Sequence, residues 1–387
     1  MRSKVAVVRA SSYGEVAQAV VRALNFLGGV EQLVPHGAKV FVKINHLSPP
    51  SPPQRAIVTH PQFTEAVVRL LLERTTHVTV GDDVYAGSEQ DPFALSGYRA
   101  LCERLGVRLV NLREVGFARV SSQGGLLREV FVGRAVREAD VVVNLPKLKT
   151  HSLTVLTGAV KNMYGVIPRG LRVNYHGQYN DPQEFSRVLV DVFAAARPHL
   201  TVMDAVEAME GAGPADGTVR PVGLVLASTD AVAVDAVASR IVGLDPLGLS
   251  TTHQAHQRGL GVGDPAGVEI VGEPLESVLV RDFRLPPLPA GEIVGHLPRF
   301  LTHFVTRQLV VQPKVLRKKC VACRACVEMC PTGAAHMHEG KARINPPACV
   351  RCMCCHEACR FGAVVLNYPG LGRVIHPVVR LARRRRR

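Results

Sequence analysis

The chain of 387 residues has no uninterrupted apolar run long enough to cross a bilayer; charged residues, prolines or glycines punctuate every candidate stretch, which disfavours a transmembrane anchor. It has no G-x4-G-K-[ST] phosphate loop, no HExxH and no Ser nucleophile elbow, so three common chemistries find no motif. Residues 211–217 (GAGPADG) are not a dinucleotide fingerprint, because the third glycine falls one place late and Pro214 intrudes. The opening residues, MRSKVAVVRA, hold only a short apolar run broken by Arg9. They read as a first strand rather than a secretory signal, and a reducing, cytoplasmic setting is expected.

What the chain does have is cysteine in a set pattern. Cys320, Cys323, Cys326 and Cys330, followed by Pro331, form C-x2-C-x2-C-x3-C-P, and Cys349, Cys352, Cys355 and Cys359 repeat the spacing. Two such runs are the ligand set of a two-cluster bacterial ferredoxin: a tight loop presents three thiolates to one four-iron cube, and the fourth cysteine ligates the other. One cluster is expected on Cys320, Cys323, Cys326 and Cys359, the second on Cys349, Cys352, Cys355 and Cys330. Zinc sites close with four ligands in separated pairs and fit eight cysteines so spaced poorly, and disulfides do not suit the expected compartment. Arg360 stands where the first run has Pro331, which removes only a turn constraint. Cys354 sits too close to Cys352 to match the first run; it and Cys102 are read as non-ligands.

The formal charge is +15, of which five units lie in residues 383–387, leaving +10 on the rest. The tail reads as a solvated segment, or as an anchor to anionic lipid or nucleic acid; no Tyr or Phe is interleaved with its arginines, so it offers no stacking platform, and nucleic acid is disfavoured. Between residues 314 and 360 nine Lys or Arg face three acids. Cationic neighbours favour a reduced, more negative cluster, so an acidic electron partner or an anionic small-molecule substrate is expected.

Up to about residue 272 short β-branched runs alternate with amphipathic helical stretches, the pattern of an α/β domain with a mainly parallel sheet. Strands are predicted at 5–8, 39–43, 77–80, 108–111, 140–143, 201–203 and 223–227, and helices at 15–27, 62–74, 93–105, 183–196 and 232–242, the last capped near Asp230. The SPPSPP stretch at 48–53 is a loop at the sheet edge or over a site. The predicted organisation is an α/β domain at 1–285, a helical connector at 286–312, a small α+β ferredoxin-like domain at 313–368 and a basic tail at 369–387.

From Val141 to Asn180 there are Lys147, Lys149, Lys161, Arg169, Arg172, His151 and His176 and no Asp or Glu. The segment begins where a strand ends, the place where ligands sit in open α/β sheets, so an anion site is favoured over a merely solvated basic face. His253 and His256, at i and i+3, suit an ordinary surface helix better than a metal. Asp204, Glu207 and Glu210 follow the strand at 201–203; they read equally as a metal or acid–base set opposite the basic segment and as exposed helix residues.

Five strings in order, Val42-Lys-Ile-Asn45, Thr59-His-Pro61, Leu145-Pro-Lys-Leu-Lys-Thr-His151, Gly158-Ala-Val-Lys-Asn162 with Gly165, and Asp204 through Glu210 to Pro214, resemble the domain-of-unknown-function 362 family, members of which often carry a ferredoxin module. The resemblance implies an α/β fold and an iron–sulfur protein of redox metabolism, without a substrate. Its motif positions make Lys43, Lys149, His151, Lys161, Asn162, Asp204 and Glu210 the candidate site, to which the basic segment adds His176. The leading reading is an electron-transfer protein whose two [4Fe-4S] clusters serve a partner or a ligand on the α/β domain. A self-contained reductase of an anionic small molecule, and a nucleic-acid- or membrane-associated protein with structural clusters, are the alternatives.

Overall fold

A computed structural model describes residues 2–47, 49–85, 91–122, 125–286 and 311–367. Strands follow in the order β1 (Ser3–Arg9), β2 (Val40–Ile44), β3 (Val78–Asp82), β4 (Arg108–Asn111), β5 (Phe117–Ser121), β6 (Glu129–Gly133), β7 (Val141–Leu145), β8 (Lys147–His151), β9 (Val155–Thr157), β10 (Leu200–Glu210), β11 (Thr218–Ser228) and β12 (Val268–Gly272). Except for the β5–β6 hairpin they make one ten-stranded sheet, ordered β12-β1-β11-β10-β7-β2-β3-β4, with β8 beside β10 and β9 beside β8. Strands β4, β3, β2, β7 and β10 run parallel, and β11 is antiparallel to both β1 and β10.

A strand covered on both faces is largely apolar, and β2 shows it in every residue but Lys43. Val40, Val42 and Ile44 enter one core, with Phe63, Val67 and Leu71 of helix Pro61–Leu72, while Phe41 enters the opposite core with Phe185, Val188 and Leu189 of helix Pro182–Ala195. Both helices begin with a proline, where the missing N–H has no intrahelical acceptor to lose. His60 caps the first, accepting from Gln62 N, and Asp181 the second, accepting from Gln183 N and Glu184 N. Asp230 caps helix Ala231–Ile241 as expected.

Three local expectations change. The helix predicted from residue 93 starts at Tyr98, because Gly97 at φ +81° breaks the turn before it. The basic segment, expected to begin past the end of a strand, opens with a further strand, β8, all five residues of which are buried. The strands at 201–203 and 223–227 extend into the long β10–β11 pair, whose register slips between Ala205 and Glu207. Asp204, Glu207 and Glu210 therefore lie in a strand, not a helix. His253 and His256 lie on helix Ser250–Gln257. Among the described residues no helix is long and apolar enough to cross a membrane. Most of the connector predicted at 286–312 and the whole basic tail at 369–387 lie outside the described residues.

After residue 311 a small domain pairs β13 (Gln312–Val315) with β16 (Val364–Asn367) and β14 (Ala335–His338) with β15 (Lys341–Ile344). The cysteine repeat is also a backbone repeat. Ala322 and Arg324 in the first run, and Arg351 and Met353 at equivalent positions in the second, all take φ near +60°. A left-handed conformation costs a non-glycine residue about 1 kcal/mol, so four in matched places mark loops wound to point their side chains inward. Each loop then enters a four-residue helix, Ala325–Glu328 or Cys354–Glu357.

Candidate functional site

Lys43 is the last residue but one of β2 and Asp82 ends β3, so both stand at the carboxyl edge of the parallel strands. The buried Lys43 Nζ donates to Asp82 Oδ2 (2.7 Å) and to Ile44 O (2.6 Å). A Cβ on Gly165 would lie 2.5 Å from Asp82 Oδ1 and 2.7 Å from Lys43 Nζ, so only glycine leaves room for this pair. Thr59 ties two motifs together, accepting from Asn45 N (3.0 Å) and donating to Leu145 O (2.6 Å).

Beyond this edge lies a cavity of about 90 Å³, walled by Lys43, Asn45, His46, Asp82, Lys149, His151, Thr157, Lys161, Asn162, Tyr164, Arg169, Arg172 and His176, and closed by Met329, Cys354 and Glu357 of the small domain. Lys149 reaches in from β8 with Nζ donating to Ile57 O (2.6 Å); burial, then the neighbouring Lys161, pull its pKa down to about 7. Lys161 and Asn162 ride on the short helix Ala159–Asn162, whose first N–H groups, Ala159 N and Val160 N, bond to the Asp235 carboxylate at 2.5 and 3.0 Å. A Cβ at Gly158 would strike Asp235 Oδ1 at 2.2 Å, which explains the glycine that opens this motif. Lys161 is half-buried by surface area yet surrounded by protein, as a side chain on a cavity wall is, and burial lowers its pKa.

His151 Nδ1 accepts from Leu153 N (3.1 Å) and Thr154 N (3.3 Å), which fixes the proton on Nε2. Nε2 stands 3.0 Å from Glu357 Oε1, off the line a good hydrogen bond requires, so the attraction is chiefly electrostatic. His176 packs against Phe185 with ring centroids 4.2 Å apart. Burial lowers His151 to about 4 and His176 to about 3, so both are neutral at ordinary pH. Burial alone would raise the Glu357 pKa, but His151, His176 and Lys161 together hold it well below the carboxylate range.

The small domain meets the larger one through both halves of its repeat. Glu328 and Glu357 each follow the third cysteine of their run by two places; Glu328 accepts from Tyr85 Oη (2.6 Å), and Glu357 faces His151. Arg55, just after the proline-rich loop, donates to Ala215 O (2.8 Å) and to Arg360 O, and Arg169 stacks 4.0 Å from the centre of the Tyr85 ring.

Cys320, Cys323, Cys326 and Cys359 surround a second cavity whose wall is otherwise apolar apart from Arg324, with Ala322, Ala325, Ala342, Ala358 and Ala363 among its small residues. Burial pushes the Cys326 thiol up to about 12, with Cys359, Cys323 and Cys320 adding to the effect. Cys355 is raised by burial and then by Cys352, Cys349, Cys326 and Cys330; Cys349 likewise by burial and by Cys352 and Cys330. Backbone amides point at the sulfurs: Ala335 N to Cys330 (3.3 Å), Ala342 N to Cys320 (3.5 Å) and Ala363 N to Cys359 (3.2 Å). Soft donors around an apolar socket, with N–H groups aimed at sulfur, fit a thiolate-held iron–sulfur cube.

Of the residues singled out from sequence, Lys43, Lys149, His151, Lys161, Asn162 and His176 all line the cavity. Asp204 and Glu210 do not. Asp204 is fully buried against Lys147 (2.8 Å), beneath the stacked rings of Tyr13 and His60, and Glu210 pairs with Arg284 (2.6 Å). Among the described residues no three His, Cys, Asp or Glu group closely enough to hold a single metal ion. Sequence reasoning placed Arg172 in the basic segment without making it a site residue, and missed Asp82 and His46, which carry no motif, and Glu357, whose signal was an acid inside a cysteine run of basic surroundings.

The fold and this module define an α/β protein with a 4Fe-4S binding domain, hence an iron–sulfur protein. The model of a 4Fe-4S binding domain matches residues 313–336, which hold the first cysteine run. The model named Domain of unknown function (DUF362) matches residues 40–240, and the chain belongs to that family. It is 33% identical over 317 residues to a thylakoid-associated protein of Synechocystis sp., covering 79% of this chain and 96% of that one. Two solved structures are loosely similar: the lactate racemase apoprotein of Thermoanaerobacterium thermosaccharolyticum (TM-score 0.40, 12% identity, 60% of this chain and 55% of that one) and a protein of Thermotoga maritima (TM-score 0.37, 14% identity, 64% and 59%). Both likenesses are too slight to argue from.

Proposed function

We propose that the protein is an electron carrier in which two [4Fe-4S] clusters pass electrons to or from an anionic ligand held in the basic cavity of the α/β domain. The observation that carries this reading is that the cavity is closed by the cysteine module itself. Met329 and Cys354, which line it, are the chain neighbours of Cys330 and Cys355, two of the four thiols proposed for the second cluster. Cys320, Cys323, Cys326 and Cys359 would hold the first cluster. Each cluster supplies one electron at a time, so two adjacent clusters match a two-electron change in a ligand. This chain's own residues would bind and orient that ligand: Lys149 and Lys161 supply positive charge, His151 a fixed N–H, and the enclosing walls exclude bulk water.

The crossed ligand set is supported by the grouping of Cys326 with Cys359, Cys323 and Cys320 and of Cys349 with Cys352 and Cys330; Cys355 feels Cys326 as well as Cys352, Cys349 and Cys330, as adjacent clusters would require. The basic residues of the module suit an acidic donor protein at the far side. Anaerobic iron and sulfide analysis followed by redox titration tests the reading. About eight irons per chain that bleach on dithionite and reoxidise on adding an acceptor are expected for two working clusters. Irons that resist reduction at ferredoxin-like potentials would overturn it in favour of structural clusters.

A further inference from the structure

Buried polar atoms in folded proteins nearly always find a partner, so a concentration of unpartnered ones outlines what is missing. Among the described residues, seven buried polar atoms around this one cavity make no hydrogen bond: Asn45 Oδ1, Thr157 Oγ1, Asn162 Oδ1, Arg172 Nε and His176 Nδ1, together with His151 Nε2 and Glu357 Oε1, which face each other at 3.0 Å without bonding. They are of both kinds. Arg172 Nε and His151 Nε2 can only donate, the second because Nδ1 already accepts two backbone N–H groups.

Asn162 Oδ1 can only accept. Asn144 Nδ2 donates to Ala159 O (3.0 Å), which leaves Asn144 Oδ1 to receive Asn162 Nδ2 (2.7 Å). The Asn162 amide is thereby oriented, and its Oδ1 is the atom left for the cavity. Thr157 Oγ1 can do either.

The charge is also limited. Five cations, Lys43, Lys149, Lys161, Arg169 and Arg172, line the cavity against Asp82 and Glu357, and Asp83 takes Arg172 at 2.7 Å. The surplus is small, and Glu357 would repel a heavily charged phosphate ester.

We propose that the cavity takes a small monocarboxylate that also bears a hydroxyl group, with its carboxylate oxygens meeting Lys161, Arg172 and His151 and its hydroxyl donating to Asn162 Oδ1. This names the ligand class of the electron-transfer site and rests on that reading. A buried acceptor left unpaired costs on the order of 1.4 kcal/mol, about a factor of ten in affinity, so a ligand lacking the hydroxyl should be disfavoured by that ratio.

Titration calorimetry on the anaerobic, cluster-loaded full chain tests it, with glycolate against acetate, glycerate against propionate, and inorganic phosphate as a further oxyanion. Glycolate and glycerate are expected to bind about tenfold tighter than their partners. Asn162→Ala should erase that ratio, while Lys161→Met should weaken all four. Thr157→Val, nearly isosteric and with intact cluster absorbance as its folding control, should reduce the ratio without changing acetate binding. Equal affinity within each pair overturns the hydroxyl assignment, and tight phosphate binding without carboxylate binding overturns the class. No binding by a protein whose clusters still bleach on dithionite overturns the ligand and leaves the electron-transfer reading standing; clusters that cannot be reduced defeat that reading instead.

Discussion

His151 Nε2 on β8 and Glu357 Oε1 in the second cysteine run stand 3.0 Å apart, joining the two domains at the wall of the cavity. Glu357 is the one carboxylate that the module brings to Lys149, Lys161 and His151 there. Removing one partner of a buried pair leaves the other charge or donor uncompensated, typically at about 3 kcal/mol. Glu357→Gln should therefore lower unfolding stability by about that amount while retaining the iron content, as urea titration and iron analysis of the same samples will show.

Acid should unfold the protein early. His46, His151 and His176 have folded pKa values of about 3, 4 and 3, depressed chiefly by burial, whereas the unfolded chain protonates near 6.5. The folded state thus binds fewer protons between these limits, so stability is full above pH 6.5 and falls as pH drops towards 4, by about 1.4 kcal/mol per pH unit for each histidine. The depressed Glu357 acts in the same direction at lower pH. Denaturation midpoints from pH 8 to 4.5 measure the slope, and His176→Phe, which keeps a ring against Phe185, should reduce it by one proton.

Ligand affinity should carry its own pH break. Lys149 loses its proton near pH 7 because burial and Lys161 outweigh the attraction of Glu357 and Asp82. A bound anion favours the protonated lysine, so affinity for glycolate should fall as pH rises through about 7. Lys149→Met should bind more weakly and show no break there; a break that persists would assign the titration to another group.

Cys354, read from sequence as a non-ligand, hydrogen-bonds with Cys352. Cys354 lines the cavity rather than the apolar socket of Cys320, Cys323, Cys326 and Cys359. Cys354→Ser should keep about eight irons, whereas Cys359→Ser should cost the first cluster, leaving about four if the second survives. Iron and sulfide counts on anaerobic protein decide it.

Asp204 offers a contrast, as a family motif position that the fold assigns to structure. It accepts from Lys147 Nζ (2.8 Å) and from His60 N (3.0 Å), and Tyr13 Oη lies 3.3 Å from it, all outside the cavity. Asp204→Asn should destabilise the chain by about 3 kcal/mol and leave glycolate affinity unchanged.

The chain itself made legible the two cysteine runs, the alternation of strand and helix and the cap at Asp230, because spacing and capping act over a few residues. It also exposed the acid-free stretch that supplies Lys149, His151 and Lys161. What it could not reveal was where their counter-charges lie. Asp82, Asp83, Asp204 and Glu357 come from β3 and its end, from β10 and from the cysteine module, and only strand register and domain docking bring them to Lys43, Arg172, Lys147 and His151 at 3.0 Å or less. For the same reason Lys147 and Asp204 look like site residues in one dimension and prove to be a buried tie in three. Local pattern fixes which groups a segment owns; burial, which sums over the whole chain, decides which of them stay available to a ligand.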